Sequence, residues 1–303
     1  MIKVGCCGYP VSLKKYREAF NLVEINRTFY GYPRLSTVER WRRESPEGFE
    51  FTVKAHQDIS HKYKLKLEES REPFERMKEI CRILKARILL IQTPASFRPD
   101  GMDIAEEFFE KIERGELTVV WETRGPLWER EDVRERLREV LSRLDVTHVT
   151  DPFRVMPVYT GGIAYFRLHG LGERMYYYQY TDEELRELLK IARSAASGGR
   201  EVYVLFNNLS MFEDATRFLH LIEEGRLPSL TGAVGLESVR LVVEKTQYPR
   251  SKSDLIRRLG WRLVEVEGGR QVRLEELLRD IPRGTYKSPD EVLDEIRRVH
   301  GAL

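Results

Sequence analysis

Eight short runs rich in β-branched and aromatic residues are spaced along the first two-thirds of the chain, most of them separated by stretches with apolar residues at helical spacing. The runs lie at 2–7, 22–26, 49–55, 87–92, 117–122, 146–150, 163–169 and 201–206, and they read as strands. Helical patterns fall at 36–44, 73–84, 103–113, 131–143, 181–196 and 211–223. Strands that alternate with helical crossovers build a parallel sheet. No Gly-x-Gly-x-x-Gly follows a strand and no Gly-Lys-Ser/Thr phosphate loop is present, so an open doubly wound sheet has no support. The expected fold is α/β, a TIM-like (β/α)8 barrel. Residues 151–162 hold Pro152, Pro157, Gly161 and Gly162, too broken for a crossover helix, so the ring is expected to be irregular near strands 6 and 7.

The pattern changes beyond about residue 232. Within 245–262, Lys245, Arg250, Lys252, Arg257, Arg258 and Arg262 stand against one acid, Asp254. Helical stretches at 253–259, 274–278 and 288–299 and a hairpin across Gly268-Gly269 predict a small α+β unit. The expected organisation is therefore a barrel over 1–232 and a small basic module over 233–303. Three cysteines, two of them adjacent at Cys6 and Cys7, form neither a disulfide framework nor a Cys-x-x-Cys metal pair, and point to core packing. No apolar run approaches the roughly 18–20 residues of a membrane span, and residues 2–4 enter a strand without a signal segment; a cytoplasmic location is expected. Charged residues make up 33% of the chain while Asn and Gln are scarce, the composition of a thermophile, and a net charge of +2 decides nothing about a polyanionic partner.

In a barrel one parity of each strand faces the helices and the other points inward, its last members lining the catalytic mouth. Polar residues in the predicted strands share parity and cluster late: Glu24 and Asn26, Lys54 and His56, Gln92, Glu122 and Arg124, Arg167 and His169, with Asp151 and Asn207-Asn208 just after their strands. A purely structural polar layer is the competing account, although burying paired charges is a costly way to stabilise a core. Glu24, Glu122 and His169 are the candidate catalytic groups. Asn26, Lys54, Gln92, Arg124, Arg167 and Asn207 are the candidate substrate-binding groups, the arginines suited to an anionic oxygen. His61 and Asp151 are the candidate ligands for a divalent metal ion. Phe29, Tyr30, Tyr32, Trp128, Tyr176–Tyr178 and Tyr180 are either stacking platforms or shields of the pocket edge.

Specific blocks carry a resemblance. Val23-Glu24-Ile25-Asn26-Arg27-Thr28-Phe29-Tyr30, Phe49-x-Phe51-Thr52-Val53-Lys54-Ala55, Ile59-Ser60-His61, Leu90-Ile91-Gln92-Thr93-Pro94, Trp121-Glu122-Thr123-Arg124, Tyr165-Phe166-Arg167-Leu168-His169-Gly170 and Val202-Tyr203-Val204-Leu205-Phe206-Asn207-Asn208 resemble, in order, the YecE-like family, domain of unknown function 72. The resemblance implies a TIM-type barrel and no assigned reaction. Thr93, Ser60 and Arg27 depart from the usual residues, Leu, Thr and Ser respectively. The region after 232 weakly resembles small uncharacterised prokaryotic modules.

The function expected is a hydrolase-type enzyme acting on a phosphate-bearing substrate, either a small molecule or a nucleic acid, by acid–base or metal-assisted chemistry. Two alternatives stand beside it: a glycoside-type hydrolase using Glu24 and Glu122, and a non-catalytic nucleic-acid-binding protein using the basic module.

Overall fold

A computed structural model describes residues 1–301 and 303. The eight runs are eight parallel strands: β1 (Ile2–Cys7), β2 (Leu22–Ile25), β3 (Glu50–Lys54), β4 (Ile88–Gln92), β5 (Thr118–Glu122), β6 (Thr147–Val149), β7 (Ile163–Leu168) and β8 (Glu201–Phe206). They hydrogen-bond in the order β6-β5-β4-β3-β2-β1-β8-β7, and the ends of this series nearly meet. One bridge, Thr150 to Phe166, joins β6 to β7, so the barrel is closed except along a single seam. The predicted irregularity lies there, and residues 151–162 form no helix.

Helices α1 (Leu13–Ala19), α2 (Arg27–Tyr30), α3 (Leu35–Arg43), α4 (Leu67–Leu84), α5 (Met102–Lys111) and α6 (Glu131–Leu144) connect β1 to β6, and α7 (Asp182–Ala195) lies between β7 and β8. Among the described residues no helix is long and apolar enough to cross a membrane.

Inward-facing side chains form layers. At the amino ends Lys3 Nζ lies 2.6 Å from Glu50 and 2.8 Å from Glu201, while Tyr203 Oη donates to Glu50 at 2.5 Å. Above this charged plug sits an apolar layer of Leu22, Ile88, Leu90, Val120, Ile163, Tyr165 and Leu205. The next inward positions toward the carboxyl ends are polar: Glu24, Lys54, Gln92, Glu122 and Arg167. A side-chain period of two, applied to strands in register, is enough to stack them.

Backbone packing divides the chain into two compact units, Met1–His169 with Leu188–Asn207, and Gly170–Glu187 with Asn208–Leu303. The first holds the barrel strands. In the second, α8 (Met211–Glu224), α9 (Leu236–Val243), α10 (Lys252–Leu259), α11 (Leu274–Asp280) and α12 (Pro289–His300) accompany two antiparallel pairs. These are β9 (Arg250–Ser251) with β12 (Thr285–Tyr286), and β10 (Leu263–Val266) with β11 (Arg270–Arg273). The β10–β11 turn runs through Gly268 and Gly269 at φ 77° and 74°, the left-handed region that glycine enters without steric cost. Val239, Leu255, Val264, Leu274, Leu278 and Ile296 fill this unit's core. Residues 170–187 belong to it through specific bonds: Leu263 N and Arg273 Nη1 donate to the side-chain and main-chain oxygens of Gln179 at 2.9 and 2.7 Å, and Asp182 N donates to Gln271 at 2.9 Å.

Candidate active site at the strand carboxyl ends

The polar layer is organised by one guanidinium. Arg167, 1% exposed at the end of β7, donates from Nη2 and Nε to the two oxygens of Glu24 at 2.8 and 3.1 Å, and from Nη1 to Glu122 Oε2 at 2.5 Å. Glu24 also accepts from Tyr165 Oη at 2.8 Å, and Thr52 Oγ1 lies 2.8 Å from that same hydroxyl. The other oxygen of Glu122 accepts from Arg124 Nε at 2.8 Å, and Arg124 Nη2 lies 3.0 Å from His169 Nε2. A chain of charge-assisted bonds thus runs from β2 across β7 and β5 to the residue after β7. Tyr165 and Thr52 were not singled out by sequence; the signal was their parity, two positions before Arg167 and Lys54.

Lys54 stands apart from this chain. Its Nζ donates to Gln92 Oε1 at 2.6 Å and lies 3.9 Å from the centroid of the Phe29 ring, with no carboxylate of the described residues within ion-pairing distance. The His61 ring meets the same Phe29 ring edge-on, with centroids 4.9 Å apart, and its Nδ1 lies 2.8 Å from Ser60 Oγ. The side chains of Asn26 and Asn207 are partly exposed and make no hydrogen bond to the described residues. Asn208 belongs to the second unit, where its Nδ2 donates to Tyr178 O and Asp214 at 2.8 and 2.6 Å.

The electrostatics sort these groups. Burial alone would raise the Glu122 carboxyl, but Arg167, Arg124 and their neighbours hold it far below the usual range, so it is an anion. Burial pushes His169 down to about 3, and a neutral imidazole whose Nε2 accepts from Arg124 is not poised to take another proton there. His148 is likewise pushed down to about 3 by burial; its Nδ1 accepts from Val158 N at 3.2 Å, which leaves Nε2–H to donate to Thr123 at 3.1 Å. Burial and the neighbouring Arg167 bring Lys54 down to about 8. Burial, Lys54 and Arg124 lower His61 as well.

The geometry bears on two of the expected roles. Glu24 has both oxygens engaged and no solvent exposure, and Arg167 is engaged as its partner. The metal donors do not assemble. Asp151 Oδ1 and Oδ2 accept from the backbone N–H groups of Phe153 and His169 at 3.2 and 3.0 Å, and no three His, Cys, Asp or Glu among the described residues are grouped to hold an ion.

The family description "Protein of unknown function DUF72" matches residues 8–231, well over half of the sequence. The chain belongs to the DUF72 family. UPF0759 protein YunF of Bacillus subtilis is 23% identical over 240 residues, which cover 70% of this chain and 85% of YunF. UPF0759 protein YecE of Escherichia coli K12 is 32% identical over 117 residues, 38% of this chain and 42% of YecE. A DUF72 family protein from Enterococcus faecalis V583 superposes with a TM-score of 0.61 at 24% identity, over 75% of this chain and 98% of its own. One from Thermotoga maritima MSB8 gives 0.60 at 25%, over 74% and 99%. Residues 233–302 match a second description, "Family of unknown function (DUF5789)".

Within the DUF72 region, two of the three departures from the usual residues acquire a physical role. Thr93 Oγ1 accepts the indole N–H of Trp121 at 3.1 Å, and Ser60 fixes the His61 ring. Arg27 lies exposed, and nothing in its surroundings explains it. Of the aromatics named from sequence, Trp128 stacks on Phe97, Tyr32 stacks on His56 at 3.9 Å, and Tyr180 Oη accepts from Gly170 N at 2.9 Å, while Tyr30 is 75% exposed.

Proposed function

We propose that this DUF72 barrel is an enzyme whose mouth takes a substrate bearing a phosphate or similar oxyanion against Arg124 and Lys54. The placement of Lys54 carries this reading. Glu24 and Glu122 are paired with Arg167 and Arg124, whereas the buried Lys54 ammonium has no ion-pair partner among the described residues. A buried ammonium without a paired carboxylate is unfavourable until an anion arrives, which is the behaviour expected of a receptor for one. Arg124, with 22% of its side chain exposed, supplies a second cation beside it.

Hydrolysis of a phosphoester then has one workable proton carrier. His61 is neutral near pH 7, Ser60 orients its Nδ1, and its Nε2 makes no hydrogen bond to the described residues, so it rather than His169 is the residue to activate water. Asn26 and Asn207 supply neutral donors for the rest of the substrate.

Inorganic phosphate and phosphomonoesters test this directly. At a phosphate concentration ten times the dissociation constant, stabilisation of about 1.4 kcal/mol is expected, a rise of a few degrees in Tm. The shift should vanish in Lys54→Gln and Arg124→Gln, and it should weaken above about pH 8, where Lys54 loses its charge. Absence of any calorimetric or thermal response to tens of millimolar phosphate in the wild-type protein would end the reading.

A further inference from the structure

We propose that Lys54 captures carbonyl compounds: its Nζ condenses with an aldehyde or ketone whose neighbouring phosphate or carboxylate rests on Arg124, forming a covalent imine at the end of β3. The idea rests on the oxyanion reading above and adds a reaction to it. An amine suited to this work must be fixed in position, kept from a carboxylate that would hold its proton, and placed where that proton has somewhere to go.

Lys54 meets the first two requirements by geometry. Its backbone is pinned because Thr28 Oγ1 donates to Lys54 O at 2.7 Å, and its side chain lies between the Gln92 amide oxygen and the Phe29 ring. Those two neighbours orient an ammonium without pairing with it. With the amine pushed down to about 8, about a tenth is neutral at pH 7, against fewer than about one in a thousand for an ordinary lysine. His61, packed on the same Phe29 ring, is the acceptor for the proton.

The chemistry balances without any oxidant or reductant. The ammonium yields a proton to His61; the Nζ lone pair attacks the carbonyl carbon, and the oxygen takes a proton to give a carbinolamine. The hydroxyl then leaves as water with the proton returned by His61, while the nitrogen lone pair closes the C=N bond. One ammonium and one carbonyl become one iminium and one water. The positive charge is retained beside the bound anion.

The test uses pyridoxal 5′-phosphate as a reagent that joins an aldehyde to a phosphate, pyridoxal as its counterpart without phosphate, and borohydride to fix any imine. Peptide mapping after brief exposure of the whole protein at pH 7 should find Lys54 labelled at least tenfold faster than the exposed Lys66 and Lys111. Pyridoxal should react at least tenfold more slowly at Lys54, and inorganic phosphate should protect it. Lys54→Arg, which keeps the charge, should lose the adduct with its Tm unchanged. Labelling of Lys54 no faster than Lys66 with either aldehyde overturns the proposal, and if phosphate still raises Tm the oxyanion reading survives alone. Equal, fast labelling by both aldehydes keeps the imine and removes the phosphate.

Discussion

Arg167 is the residue on which the polar layer turns. Arg167→Met leaves the fully buried Glu24 without an ionic partner and takes one of two from Glu122, and loss of one partner of a buried pair costs about 3–5 kcal/mol. Calorimetry should show a fall in Tm near ten degrees, while Glu24→Leu combined with Arg167→Met should recover part of it, because no orphaned charge remains at Glu24. The histidines add a pH dependence whose sign is fixed. His169 and His148 sit near 3 in the folded protein and near 6.5 in the unfolded chain, so between those values the unfolded chain binds more protons. Their contribution to stability is complete above about pH 6.5 and is lost as pH falls toward 3. Asp151 and Asp214, which burial pushes up to about 6 and about 7 from 3.8, act in the opposite sense: the folded protein holds the extra protons, and each contribution fades as pH rises through that window. Urea midpoints measured from pH 4 to 8 should therefore fall toward acid less steeply in His148→Gln than in the wild type, and Asp214→Asn should steepen the fall.

At the scale of elements, the seam between β6 and β7 is the weak line of the barrel. Arg167 N donates to Thr150 O at 3.0 Å, and the next ladder position is filled by a side chain, Asp151 Oδ2, which accepts from His169 N. Asp151→Ala removes that strap, and loss of a buried hydrogen bond costs about 1–3 kcal/mol. Hydrogen exchange at His169 should accelerate far more than at the centre of β4; equal protection in the variant would show that the strap is dispensable. The strands, their parity and the break at 151–162 were legible because alternation and proline–glycine clusters are local signals. Other elements were not. The helix expected to start at Pro73 begins at Leu67, because burying Leu67, Phe74 and Met77 on one face outweighs a proline inside it. Helix α1 buries Tyr16 alone, so it has no apolar period; the Tyr16 hydroxyl instead accepts from Cys6 N and donates to Leu22 O, tying β1 to β2.

For the molecule as a whole, sequence similarity and packing divide the chain differently. The family matches meet between residues 231 and 233, whereas the second compact unit draws in residues 170–187 and 208–232. No local pattern announces a bond such as Asp182 N to Gln271, 89 residues apart. The stretch 245–262, basic in sequence, likewise finds some of its partners far along the chain. Arg250, Arg257 and Arg258 all converge on Asp254, Arg262 forks onto Glu213 at 2.7 and 3.2 Å, and Lys252 donates to the carbonyls of Arg279 and Ile281. These bonds offset only part of the charge, since three arginines share one carboxylate and Lys252 meets uncharged carbonyls, so the wild-type protein should leave a heparin column at moderate salt. Asp254→Ala frees three arginines on α10 and its N-terminal flank. Elution at distinctly higher salt is then expected, with the steeper salt dependence of added phosphate- or sulfate-type contacts; an unchanged elution position would mean that these arginines do not face a surface a polyanion can reach.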